Sequence, residues 1–120
     1  MKRKRLTYGE TRLMQLIWDG EPLASGALTE RCLRELGWKK STSYTMLKKL
    51  VEKGYAQNEN AVVTARISRA EAQAEESNYV VDSSFSGSLP GFLVSFLGGK
   101  TISDAEAEEL KALIDAHREP

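Results

Sequence analysis

The chain has 120 residues, 41% hydrophobic and 28% charged, which suits one small soluble domain with a short appendage. Its single Cys excludes a disulfide framework or a multi-Cys zinc site, and its single His, His117, argues against a His-dependent catalytic triad. The zero net charge conceals a division: residues 1–55 hold 12 Lys and Arg against 6 Asp and Glu, whereas residues 56–120 hold 5 against 11. We therefore expect the first half to meet an anionic partner.

Neither a membrane span nor an export signal is expected. The longest apolar run, over residues 92–97, is far shorter than the roughly 20 residues that cross a bilayer. The basic start over residues 1–5 is not followed by the apolar stretch of a secretory signal. We therefore predict a protein of the cytoplasm that needs no metal or organic cofactor.

The first predicted helix begins at a capping box. Thr7 and Glu10 have the spacing at which each side chain bonds the other residue's backbone amide. Asp19 and Gly20 are expected to end this helix, with Gly20 in the left-handed conformation. Apolar residues at helical spacing predict a second helix over residues 24–36, stopped by a glycine.

The third predicted helix has one apolar and one polar face. Ser41 or Thr42 is expected to cap it, and Gly54 follows its last residue, Lys53. At 100° per residue, one face carries the predicted core residues, which are Met46, Leu47, Leu50 and Val51. The opposite face is rich in hydroxyl and lysine side chains.

The chain changes character after the third helix. A turn signal at residues 58–60 and a β-prone run at residues 61–67 predict two short strands. Ser68 and Glu71 have capping-box spacing and begin an acidic helix that is expected to run to about Val81.

Two more helices are predicted near the C-terminus. A polar break at residues 83–91 precedes a short apolar helix over residues 92–97. Ser103 and Glu106 then form a third capping box, followed by an apolar stripe.

This order of elements predicts a mainly α fold with a small β wing. Residues 1–68 would form a winged helix-turn-helix DNA-binding domain, and residues 69–120 a C-terminal helical dimerisation region. In such a domain the third helix is the one that enters the major groove of DNA.

The candidate DNA-binding surface is the polar face of the third helix with its basic approach. A helix N-terminus suits phosphate, and hydroxyl groups, a Tyr ring or a Thr methyl group suit base edges. The predicted DNA-contacting residues are Lys39, Lys40, Ser41, Thr42, Tyr44, Thr45, Lys48 and Lys49, together with Arg5 of a mobile N-terminal arm (residues 2–5) and Arg66 of the wing.

A lysine-bearing helix face is often only solvated surface, but the hydroxyl content and the position on the third helix favour DNA binding. Two alternatives stay open. One is a winged-helix protein-interaction module that does not touch nucleic acid. The other is a ligand-sensing winged-helix regulator with a small-molecule pocket between its two parts.

The last two apolar segments have little chain with which to form a core of their own, so we expect a homodimer. The predicted interface residues are Phe92, Leu93, Phe96, Leu97, Leu110, Leu113 and Ile114. Cys32 is expected to be a buried, inert thiol. The acidic residues of this half lack a pocket-forming pattern, so no enzymatic activity is predicted.

The segment from Thr42 to Gly54 and Trp38 before it resemble the penicillinase-repressor family (BlaI/MecI type), which also includes copper-responsive repressors. The family's recognition segment reads Thr-x-(Tyr/Arg)-Thr-x-Leu-x-(Arg/Lys)-Leu-x-x-Lys-Gly, and these residues follow it. A softer match follows near the C-terminus, from Phe96 to Leu110. The resemblance covers about residues 5–116.

The resemblance implies a dimeric transcriptional repressor on a palindromic operator of double-stranded DNA. Thr42, Tyr44 and Thr45 would occupy groove-contacting positions, and Lys48 and Lys49 positions that face the DNA backbone. A sensor protease or another inactivating factor, not identified by the sequence, would be a further partner.

The chain departs from the family pattern at three places. Ser43, on the predicted buried face, stands where an apolar residue is usual. The wing lacks aromatic residues in its second strand, which leaves Arg66 as its basic candidate. Ser95 and Phe96 occupy the place of an Asn-Phe cleavage site, and the multi-Cys motif of the copper-responsive members is absent.

Overall fold

The computed structural model describes residues 3–120, which form six helices and one three-stranded antiparallel sheet. Contacts divide the chain into two compact units, Met1–Asn78 and Tyr79–Pro120. The elements in chain order are α1 (Tyr8–Gly20), β1 (Leu23–Ala24), α2 (Ser25–Leu36), α3 (Lys40–Glu52), β2 (Ala56–Glu59), β3 (Val62–Ala65), α4 (Arg69–Ser84), α5 (Leu89–Leu97) and α6 (Asp104–Ala116). The mainly α fold with a small sheet is that of a winged helix, as predicted.

The capping box at the start of α1 is confirmed. The Glu10 amide donates to Thr7 Oγ1 at 3.2 Å, and the Thr7 amide donates to Glu10 Oε1 at 2.7 Å. The prediction for the end of α1 is wrong, because Gly20 is helical and Glu21 caps the helix in an extended conformation, with φ −65° and ψ 146°. Pro22 explains this ending, since a residue before proline favours extended backbone.

The sheet has the order β1-β3-β2, and its first strand was not predicted. Leu23 pairs with Val63, but a strand of two residues is too short to show an alternating pattern. The turn between β2 and β3 consists of Asn60 and Ala61, both with positive φ, at 53° and 61°. This is the backbone of a tight hairpin turn, and the Ser25 amide supports it with a 2.8 Å bond to the Ala61 carbonyl.

The core of the first unit lies between α1, α2, α3 and β3. Its fully buried residues include Leu13, Met14, Ile17, Leu28, Cys32, Leu50 and Val63, so the prediction of a buried Cys32 is confirmed. The predicted end of α2 is also confirmed, with Gly37 in the left-handed region at φ 69°. Val51, predicted to be buried, is instead 37% exposed.

The start of α4 belongs to the first unit. Ser68 Oγ accepts the Glu71 amide at 3.1 Å, and Ala72 is buried in the core. The Trp18 indole N–H donates to the Ile67 carbonyl at 2.9 Å just before the helix begins. The helix runs to Ser84, beyond the predicted end near Val81. The first unit ends at Asn78, ten residues after residue 68, where the predicted DNA-binding domain ends.

The second unit contains the end of α4 with α5 and α6. Helix α5 begins earlier than predicted because Ser88 Oγ accepts the Gly91 amide at 2.9 Å. The predicted cap of α6 is confirmed, since Ser103 Oγ accepts the Glu106 amide at 3.1 Å. Across residues 3–120, no single helix is both long and apolar enough to cross a membrane.

Candidate nucleic-acid interface

One face of α3 anchors the helix in the core and so fixes its solvent face. Leu47, Leu50 and Ser43 are buried, and Ser43 is placed as predicted. Gly9 lets the first turn of α1 pack closely against α3, because a Cβ at this position would lie 3.3 Å from Met46 Cε. One face of α3 is therefore packed against the core of the first unit, and the opposite face of α3 is exposed to solvent.

The N-terminus of α3 differs from the predicted arrangement. The helix begins at Lys40, with Lys39 at the N-cap, and the Lys39 side chain makes no capping hydrogen bond. The expectation that Ser41 or Thr42 is the cap is therefore wrong, since both lie inside the first turn and are exposed. The first-turn amides and the positive end of the helix dipole face outward, where they suit a phosphate.

The predicted base-reading residues lie together on the solvent face of α3. Thr42, Tyr44 and Thr45 are all exposed, Tyr44 by 37% of its surface. Thr45 Oγ1 donates to the Ser41 carbonyl at 3.0 Å. This bond uses the hydroxyl proton, so Thr45 offers an acceptor oxygen and a methyl group outward, which match a base-edge amine and a thymine methyl group.

The lysines of α3 and its approach are exposed and carry their charge into solvent. Within residues 3–120, no carboxylate forms an ion pair with Lys39, Lys40, Lys48 or Lys49. Two of these lysines flank the start of α3, and two lie between two and three turns further along. Their ammonium groups are therefore available to an anion without the cost of breaking an internal pair.

Residues 3–5 of the predicted mobile arm lie against the first unit and hydrogen-bond to it. Arg5 Nε donates to both carboxylate oxygens of Glu76 on α4, at 2.9 and 3.1 Å, and Arg3 Nη1 lies 3.1 Å from Glu75 Oε1. Lys2, the remaining basic residue predicted for the arm, lies outside the described residues. Contact between Arg5 and DNA stays a prediction, and it would compete with Glu76.

Arg66 lies at the base of the β2–β3 hairpin rather than at its tip. Its amide donates to the Tyr55 carbonyl at 2.9 Å, and its side chain is exposed. The hairpin over residues 56–65 contains no Lys or Arg, and Glu59 precedes its turn. The tip of this wing is thus poorly suited to phosphate, and DNA contact by Arg66 stays a prediction.

A largely buried ion pair beside this surface was not predicted from the sequence. Lys53 Nζ lies 2.6 Å from Glu10 Oε1, and the Glu10 side chain is only 2% exposed. Burial raises the pKa of Glu10, but hydrogen bonds from Lys53 and Thr7 outweigh it, so the pKa lies below its usual value. The capping-box spacing located Glu10, but nothing in the local pattern pointed to Lys53.

The Cys32 thiol and the Ser43 hydroxyl lie between α2 and α3. Burial raises the pKa of Cys32, although the nearby Ser43 hydroxyl opposes the shift. Ser43 Oγ makes no hydrogen bond of ordinary geometry with any described residue. Cys32 is thus a protonated thiol in the core. The Ser43 hydroxyl is buried without an ordinary hydrogen bond from the described residues to offset the loss of its contact with water.

The predicted dimerisation residues lie on α5 and α6 in the second unit. Phe92 packs edge-on against Phe85 with ring centroids 5.4 Å apart, and lies 5.9 Å from Phe96. No residue of either helix is buried. The most exposed of the predicted set are Phe96, Leu113 and Ile114, at 54 to 56%.

The described side chains do not form a cluster of candidate metal ligands. Over residues 3–120, no group of three or more His, Cys, Asp and Glu residues is placed to hold an ion.

The first unit is thus a winged helix whose third helix turns hydroxyl groups, a Tyr ring and lysines to solvent. Residues 6–116 match the family model described as penicillinase repressor, and the chain belongs to this family. The family consists of regulators rather than enzymes. The resemblance seen in the recognition segment is thereby confirmed.

The chain is also similar to a curated protein with the same family description. The chain is 22% identical over 121 residues to a penicillinase repressor of Bacillus licheniformis, covering 98% of this chain and 94% of the relative.

Proposed function

We propose that this protein is a transcriptional repressor that binds a palindromic operator as a homodimer in the cytoplasm. The observation that carries the proposal is the solvent face of α3, where exposed hydroxyls and Tyr44 lie beside lysines that form no ion pair within residues 3–120. Membership of the penicillinase-repressor family supports the same function.

In the proposed mechanism, α3 of each protomer enters a major groove. Thr42, Tyr44 and Thr45 contact base edges and give sequence preference. Lys39, Lys40, Lys48 and Lys49 contact phosphates, which supply much of the affinity and make it fall with salt. Occupation of the operator would then block access of RNA polymerase.

The second unit is proposed to pair two copies. Its exposed apolar residues on α5 and α6 would be buried against the partner protomer, because neither helix has a fully buried residue within its own unit. Two-fold pairing presents two recognition helices to half-sites about one helical turn apart, roughly 34–36 Å, or a multiple of that.

Release from DNA is proposed to require a sensor protease or another inactivating factor that acts on the second unit. Ser95 and Phe96 are exposed on α5, but both lie inside the helix. A protease would need this short helix to open locally before the Ser95–Phe96 bond could enter its active site.

Nuclease protection of the DNA upstream of the protein's own coding sequence tests the proposal. We expect the protein to protect an inverted repeat, with the two protected half-sites on one face of the duplex. A gel shift against random duplex DNA at low salt provides the control for non-specific binding. Absence of binding to either DNA would contradict the proposal and favour a protein-interaction module.

A further inference from the structure

The N-terminal segment over residues 3–5 lies along the C-terminal end of α3. The Tyr55 hydroxyl donates to the Lys4 carbonyl at 2.8 Å, and Lys53 Nζ donates to the Arg5 carbonyl at 3.1 Å. Tyr55 is itself buried, with 4% of its surface exposed. These two hydrogen bonds hold consecutive peptide groups of the main chain, the one between residues 4 and 5 and the one between residues 5 and 6.

The three basic side chains of this segment differ in what they contact. Arg3 forms an ion pair with Glu75, and Arg5 forms one with Glu76, both on α4. Lys4 lies between them in the sequence, is exposed, and forms no ion pair with any residue in 3–120. Lys4 is thus the cation of the segment whose charge is not already matched by a carboxylate.

A cleft of about 290 Å³ brings Lys4 to the recognition helix. Its lining joins Lys4 and Arg3 of the segment to Lys49, Glu52 and Lys53 at the end of α3. Glu52 makes no ion pair with either Lys4 or Lys49 among the described contacts. The cleft therefore lies between two ammonium-bearing side chains that form no ion pair within residues 3–120, at the edge of the surface proposed to meet DNA.

We propose that this cleft takes one phosphate of the DNA backbone, with Lys4 as a phosphate-binding residue and Tyr55 as the residue that positions it. The inference rests on the proposed DNA binding and adds a contact outside α3. Lysine suits this role because its compact charge on a flexible stem reaches a phosphate from many directions. Tyr55 fixes the Lys4 carbonyl, so the Lys4 side chain starts from the cleft that it shares with Lys49 before DNA arrives.

The test is the salt dependence of binding to a random duplex, measured by fluorescence anisotropy between 50 and 300 mM KCl with the full chain. Lys4→Gln removes one charge, and Lys111→Gln, on α6, removes the same charge from the other unit. For loss of one phosphate contact, we expect Lys4→Gln to flatten the slope of log K against log salt by about 0.9 and to weaken binding about five- to tenfold near 100 mM. Lys111→Gln should leave the slope unchanged.

The positioning role of Tyr55 is tested by Tyr55→Phe, which keeps the buried ring and removes only the hydroxyl that holds Lys4. We expect Tyr55→Phe to weaken binding in the wild-type background and to have no further effect when combined with Lys4→Gln. Thermal unfolding of each variant serves as the check on folding.

The outcomes separate this inference from the proposed function. If the wild-type protein binds duplex DNA and Lys4→Gln leaves the slope unchanged, the cleft does not hold a phosphate. If Tyr55→Phe weakens binding equally in both backgrounds, Tyr55 does not act through Lys4. If the wild-type protein fails to bind duplex DNA at all, the proposed function fails, and the inference fails with it.

Discussion

Lys53 Nζ lies 2.6 Å from Glu10 Oε1, which ties the end of the recognition helix to the first turn of α1. Glu10 also accepts the Thr7 amide at 2.7 Å, and Lys53 also donates to the Arg5 carbonyl at 3.1 Å. One carboxylate and one ammonium group thus connect the cap of α1, the end of α3 and the N-terminal segment.

Removal of the charge on Glu10 should destabilise the protein. Glu10→Gln keeps the shape of the side chain but leaves Lys53 without its anion, and Lys53 is only 20% exposed. We expect the free energy of unfolding to fall by about 2–4 kcal/mol in urea titrations. Glu30→Gln, on the exposed surface of α2, is the matched control and should change it by less than about 0.5 kcal/mol. Equal effects of the two substitutions would contradict the structural role of the pair.

The Glu10 carboxylate should also make the stability of the protein depend on pH. The pKa of Glu10 is lower in the folded protein than its ordinary value of 4.5, so its charged form stabilises the fold above that value. This contribution should be lost as the pH falls below 4.5 toward the folded-state pKa. Urea unfolding of the wild type and Glu10→Gln between pH 7 and pH 3 checks it. The difference between the two proteins should shrink with falling pH, and a constant difference would contradict the assignment.

We expect replacement of Ser43 by Ala to stabilise the folded protein. Its hydroxyl is buried without a hydrogen bond of ordinary geometry, and Ala would remove that uncompensated polar atom. Ala is also a better helix former than Ser. We expect Ser43→Ala to raise the free energy of unfolding by about 1 kcal/mol in urea titrations. A loss of stability of that size would indicate that the hydroxyl has a partner, with the Cys32 thiol the nearest candidate.

The exposed apolar residues of the second unit predict a dimer. Phe96→Asp places a charge on α5 at a residue that is 54% exposed, although it also removes the contact with the Phe92 ring. We expect sedimentation equilibrium to show a dimer for the wild type and a monomer for the variant at micromolar concentration. Ser95→Asp adds the same charge at the neighbouring exposed position as a comparison. A wild-type monomer would contradict the proposed interface.

Sequence patterns predicted the elements whose determinants are local. The cap at Thr7, the end of α2 at Gly37 and the cap at Ser103 are all set by residues within one helical turn. The buried position of Cys32 followed from helical periodicity. The solvent face of α3 followed from the same periodicity, although Val51 is more exposed than its spacing indicates.

Features that depend on distant residues were not predictable in this way. Strand β1 exists only because Leu23 pairs with Val63, forty residues later. The basic residues over 3–5 suggested a free arm, because the partners of Arg3 and Arg5 on α4 lie more than 70 positions away. The ion pair of Lys53 with Glu10 joins residues 43 positions apart, and neither residue has a local signal for it.

The salt dependence of DNA binding by a variant of α3 tests the central claim most directly. Lys48→Ala combined with Lys49→Ala removes two charges from the solvent face of the helix, and Lys100→Ala combined with Lys111→Ala removes two from the second unit. We expect the first pair to flatten the slope of log K against log salt by about 1.8 on random duplex DNA and to weaken binding to all sequences. A slope identical to that of the wild type would mean that this face of α3 does not lie against the DNA backbone.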